Sequence, residues 1–136
     1  MNRNVKDLGT LGGIDSSAFG INASGQVVGE SETKRSDARH AVMWTNGKIK
    51  DLGTLGGANS TASSINASGA VVGDADTNSG TIVAFLYWKR RMIDLNALLP
   101  PGSGWALMGA RSINDNGWIT GYGYINGKQH AFLLRP

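Results

Sequence analysis

The heptad DLGTLGG occupies Asp7–Gly13 and recurs unchanged at Asp51–Gly57 in a chain of 136 residues. A repeat in so short a chain has to be followed outward first, because a missed repeat misassigns the whole fold. INASGQVVGES at Ile21–Ser31 returns as INASGAVVGDA at Ile65–Ala75, and more loosely as INDNGWITGYG at Ile113–Gly123. Each copy is followed by a short apolar run: HAVMW from His40, VAFLYW from Val83, HAFLL from His130. Three units of about 44 residues thus fill a single repeat domain over 1–136. They run roughly over 14–57, 58–100, and 101–136 closed by 1–13.

Each unit reads as strands. In Ile-Asn-x-x-Gly the Asn side chain can bond the turn backbone, and the Gly supplies a positive φ three residues later. That places a hairpin tip between SSAFGIN and GQVVGES. Asn46-Gly47 joins HAVMW to KIKDLGTL, and Asn126-Gly127 falls between the second and third strands of the last unit. Asn-Gly is the strongest short-range hairpin signal. No stretch keeps a helical period over three turns, so the chain is all-β, with four short antiparallel strands expected per unit. The last unit ends on its third strand, KQHAFLLRP, and the chain begins on a fourth, NVKDLGTL. The N-terminal strand is therefore expected to close the last unit, which hides the sheet edges of a ring.

Composition narrows the function classes. Twenty glycines with only 17% charged residues fit many tight turns and argue against disorder. There is no cysteine, which removes disulfides, thiol chemistry and thiolate metal sites. The net charge is +3, but the thirteen basic residues are scattered and cluster only at Lys89-Arg90-Arg91. A nucleic-acid partner is not expected without a concentrated basic face, and the triplet reads as a solvated hairpin tip. The longest strongly apolar run, Ile82–Trp88, is too short to span a bilayer.

These motifs resemble the HAF-repeat family of probable extracellular bacterial proteins. The likeness is carried by INASGxVVG, by DLGTLGG, by His130-Ala131-Phe132 and by its variants His40-Ala41-Val42 and Val83-Ala84-Phe85. It implies four-stranded repeats of β-propeller-blade type on an exported protein, and it carries no established activity from which catalytic residues could be taken over. The opening MNRNVKDLGT holds no signal peptide, which leaves a cytoplasmic location open. Three blades are too sharply wedged for a propeller, which typically has four to eight. Two chains pairing into a six-bladed ring resolve this, as a homodimer. Closure of twelve strands as a β-trefoil is the alternative.

No nucleophile–base arrangement, phosphate loop or cofactor site can be read, and an enzyme is not expected. His40 and His130 occupy equivalent positions, as structural residues bonded to a neighbouring turn would. Asp74, Asp76 and Asn78 alternate as the first three ligands of a calcium loop do. The expected glycine comes one place late at Gly80, and Phe85 stands where the bidentate acid belongs. A polar connection is preferred, and no metal is expected.

The aromatic residues give the sharpest hypothesis. Trp118, Thr120, Tyr122 and Tyr124 alternate on one strand and share a face. The matching positions are Gln26, Val28, Glu30 and Glu32 in the first unit, and Ala70, Val72, Asp74 and Asp76 in the second. With Trp105, Asn114 and Asp115 they would suit stacking on sugar rings and bonding hydroxyls. The competing explanation is that this face is covered by the next blade or a partner chain, where Tyr and Trp are also enriched. Two functions follow: a non-enzymatic extracellular module for binding or adhesion, with glycan the favoured ligand, or a structural, self-assembling β-repeat protein with no small-molecule ligand.

Overall fold

In a computed structural model, residues 1–35 and 37–136 are described. The chain is all-β, in three antiparallel sheets of four, four and three strands. Sheet 1 holds β1 (Gly12–Ile21), β2 (Val27–Thr33), β3 (Arg39–Thr45) and β4 (Lys48–Gly53) in sequence order. Sheet 2 repeats the pattern with β5 (Gly56–Ile65), β6 (Val71–Thr77), β7 (Ile82–Trp88) and β8 (Arg91–Asp94). A short 3-10 turn at Leu95–Leu98 leads on to sheet 3, made of β9 (Ala106–Ile113), β10 (Ile119–Ile125) and β11 (Lys128–Leu134).

The turns follow the expected chemistry. Asn22, Asn66 and Asn114 each open a first hairpin, and each accepts through Oδ1 from the amide four residues on, at 2.9–3.0 Å. Asn46-Gly47 and Asn126-Gly127 have positive φ at both positions, as a type I′ turn requires. Lys89-Arg90 adopts the same conformation without a glycine, at φ 51° and 66°.

The closing glycine of VVG, VVG and ITG has a different cause. A Cβ on Gly29, Gly73 or Gly121 would overlap a carbonyl oxygen of the first strand, that of Ser17, Thr61 or Gly109. The first strand of each sheet is irregular at this point, with a register shift beside each of these residues. Close backbone approach at a bulge therefore demands glycine here, with no need for positive φ.

Sheet 2 buries apolar side chains on both of its faces, so it needs cover on both sides. Between sheets 1 and 2 lie Val28, Ala41 and Leu52 from one side, and Ala62, Ile65, Val71, Phe85 and Tyr87 from the other. Between sheets 2 and 3 lie Ala70, Val72 and Ala84, facing Leu107, Ala110, Ile113, Ile119 and Phe132. Side-chain amides tie the stack together at one end. Asn22 Nδ2 donates to the Asn66 carbonyl, and Asn66 Nδ2 donates to the Asn114 carbonyl, each at 3.0 Å.

The N-terminal segment does not complete sheet 3 of its own chain. Residues 1–10 form no strand, and sheet 3 ends at β11 with an open edge. The N-terminal heptad instead folds against its own sheet 1, as the inner heptad folds against sheet 2. Gly9 N donates to Asp7 Oδ1 at 2.9 Å, matching Gly53 N to Asp51 Oδ1 at 2.8 Å. Thr10 Oγ1 donates to the Gly13 carbonyl as Thr54 Oγ1 does to Gly57, both at 2.8 Å. Leu11 bridges Thr33 as Leu55 bridges Thr77. The three sheets remain separate, and neither a closed barrel nor a closed propeller ring forms among the described residues.

Two consequences can be measured by chemical denaturation. Gly73→Ala, which drives a methyl into the Thr61 carbonyl, is expected to destabilise by about 3 kcal/mol, the upper end of overpacking penalties. Replacing Lys89-Arg90 by Asn-Gly is expected to stabilise by about 1 kcal/mol, because it removes side chains from a left-handed conformation.

Candidate functional site

The residues singled out by sequence divide between the two faces of sheet 3. Trp118, Tyr122 and Tyr124 stand on the face turned away from sheet 2, since the intervening Ile119 is buried against sheet 2. Trp118 and Tyr124 are 40% and 41% exposed, and Tyr122 is half-buried. Tyr122 lies across Gly109, its opposite number on β9, where a Cβ would meet the ring. Two guanidinium groups attend the aromatics: Arg111 is 5.1 Å from the Tyr122 ring centre and Arg135 is 5.8 Å from that of Trp118. Such cation–π pairs hold the rings flat at modest energy, about 0.5–1 kcal/mol when exposed.

Trp105 is on the other side. Its ring meets Phe132 edge-on at 6.4 Å and packs against the core between sheets 2 and 3. Asn114 and Asp115 are engaged in structure. Asn114 Oδ1 accepts from Asn116 N and Trp118 N, and Asp115 Oδ1 accepts from Ala67 N of the neighbouring sheet. The fold thus brings together Trp118, Tyr122 and Tyr124, and leaves Trp105, Asn114 and Asp115 outside that group. Asp115 and Asn116 instead line a shallow groove of about 280 Å³ with Trp88, Leu86 and Ser68. Trp88 is exposed at this groove. It is the last residue of β7, where a side chain can reach past the sheet end.

Asp74 and Asp76 lie within β6 itself, whereas Asn78 follows the strand end with its amide against Gly56. Asp76 Oδ2 accepts from the backbone and side-chain nitrogens of Asn59 at 3.2 and 3.3 Å. Among the described residues no group of three or more acidic or histidine side chains could hold a metal ion.

His40 bonds a strand where a turn was expected: its Nδ1 lies 3.0 Å from both carboxylate oxygens of Asp51 on β4. His130, at the equivalent place on β11, is exposed on a sheet that has no fourth strand.

Burial raises the carboxyl of Asp74 above the usual carboxylate range. The Arg111 charge opposes this, while Asp76 and Glu30 add to it. A carboxyl that binds its proton more tightly when folded favours the folded state increasingly as pH falls through its raised value. Above that value the ionised form is a net liability. Asp74→Asn is therefore expected to raise the melting temperature at pH 7, with the gain shrinking toward pH 4, as thermal melts at the two pH values would show.

No family model, no curated protein and no solved structure matches this chain. The likeness to HAF-repeat proteins rests on the chain's own motifs.

Proposed function

We propose that this chain is a non-enzymatic β-repeat module whose work is assembly, with the outer face of sheet 3 as the docking face for a further β-sheet. One observation carries the reading. The face bearing Trp118, Tyr122 and Tyr124 is the same face that sheets 1 and 2 present to the sheet that follows them. There Val28 is wholly buried, as is Val72, beneath the next sheet. In the last unit the acidic positions Glu30/Glu32 and Asp74/Asp76 have become Tyr122 and Tyr124, which suits an interface core better than water does. Ring closure from several such sheets, of β-propeller type, is the architecture this reading favours. The HAF-like motifs support placing it on an exported bacterial protein.

Glycan binding, in an extracellular binding or adhesion role, is the second reading. It is supported by two exposed aromatic rings, each able to stack on a sugar, on a face flanked by arginines.

Light scattering behind a sizing column separates the two. The wild-type chain is expected at a multiple of its 14.3 kDa, and Trp118→Ala/Tyr122→Ala at one chain mass with an unchanged β-sheet circular dichroism spectrum. A monomeric wild type whose binding to a glycan array is lost in the same variant would establish the second reading instead.

A further inference from the structure

We propose that two copies of this chain exchange their N-terminal strands, Asn4–Gly9 of each completing sheet 3 of the other along the open edge of β11. This names the partner for the assembly reading above and rests on it.

The template is the junction inside the chain. The inner heptad makes two kinds of contact. Some reach forward to sheet 2, and the N-terminal heptad reproduces these against sheet 1. Ser60 Oγ donates to the Gly53 carbonyl, and Ser16 Oγ to the Gly9 carbonyl. The others reach back to the preceding sheet: the β3–β4 ladder and the His40–Asp51 pair; just beyond the heptad, Ser60 Oγ also accepts from the Ala41 amide at 2.8 Å. For the N-terminal heptad this second set is empty. The groups that would fill it stand on β11, because HAF at His130–Phe132 corresponds to HAV at His40–Val42.

The register follows. Val42 faces Asp51, Met43 faces Lys50 and Trp44 faces Ile49. On the same pattern Phe132 faces Asp7 of the second copy, Leu133 faces Lys6 and Leu134 faces Val5. His130 then reaches the Asp7 carboxylate, and the Ala131 amide reaches Ser16 Oγ. An exposed ion pair of this kind adds little energy, so it fixes register while the ladder and the apolar face supply the attraction.

The faces that meet have what such a joint needs. Ile21 is 69% exposed, although its counterparts Ile65 and Ile113 are 6% and 7% exposed beneath neighbouring sheets. Phe19 is 53% exposed, at the position equivalent to Arg111. In the joint it would stand to Tyr122 of the second copy as Arg111 stands to Asp74. The asparagine series also continues: Asn22 donates to Asn66 and Asn66 to Asn114, leaving the Asn114 amide to donate to the Asn22 carbonyl of the second copy. Finally, the indole N–H of Trp44, on the face of sheet 1 turned away from sheet 2, is already buried and has no partner among the described residues. That is a cost the covering sheet can relieve.

Cysteine cross-linking tests the register, since the natural chain has no cysteine. Directly opposed residues on antiparallel strands lie about 4.5–5.5 Å apart at Cα, within disulfide range. Lys6→Cys/Leu133→Cys is expected to oxidise to a covalent dimer on a non-reducing gel, reversed by reductant. Single variants Lys6→Cys and Leu133→Cys, mixed and oxidised, should give the same band, since each positions only one thiol. Val5→Cys/Leu133→Cys, slipped by one residue, should stay uncross-linked. An oxidised monomer would overturn the proposal in favour of closure within one chain, and a ladder of higher oligomers in favour of an open array. No cross-link in a chain that light scattering finds dimeric would overturn the strand exchange while leaving the assembly reading intact. A chain monomeric by light scattering would sink both.

Discussion

A sheet that is apolar on both faces cannot stand at the end of a stack without leaving one of them to water. Everything else in this chain follows from that constraint. Sheet 2 satisfies it, with Phe85 and Tyr87 buried toward sheet 1 and Val72 and Ala84 toward sheet 3. The two outer sheets satisfy it fully on one side only: on the other, sheet 1 buries Val42 and Trp44 but leaves Phe19 and Ile21 exposed, and sheet 3 leaves Trp118 and Tyr124 exposed. Side chains that are buried in the middle of the array therefore reappear exposed at its ends, as the contrast between Ile21 and Ile65 records. Burying such a side chain is worth about 1.5–3 kcal/mol, so the two outer faces hold a considerable unused driving force for contact with one another.

Much of this was legible in the residues. The turn dipeptides Asn46-Gly47 and Asn126-Gly127 lie between strands where they were expected, because type I′ geometry is a local property that no tertiary contact has to supply. The Ile-Asn-x-x-Gly tips were equally local. What alternation could not show was why Gly29, Gly73 and Gly121 are glycine. Their cause is a carbonyl on another strand, and sequence spacing does not reveal a bulge there. The count of strands pointed to the N-terminal segment as the fourth strand of sheet 3, but residues 1–10 form no strand, because no edge within their own chain reaches them.

The candidate site was legible only as far as one strand reaches. Period two along β10 was enough to put Trp118, Tyr122 and Tyr124 on one face. It was not enough to place Trp105, which arrives from a loop and packs against the opposite face. Asn114 and Asp115 look like free hydrogen-bonding groups in the sequence. In the fold they serve the turn and the next sheet, the usual fate of Asn and Asp beside a tight turn. The alternation of Asp74 and Asp76 imitated a calcium loop, yet a strand holds them.

The heptad joint has a further meaning for how such a chain can change. DLGTLGG makes its forward contacts at Asp7–Gly13 with no sheet behind it, so the joint carries its own fold from one unit to the next. A duplicated gene segment beginning and ending in this heptad would add a whole sheet while leaving every existing joint unaltered. The number of sheets in such a lineage is thus open to lengthening by recombination, and the outermost faces need be invented only once.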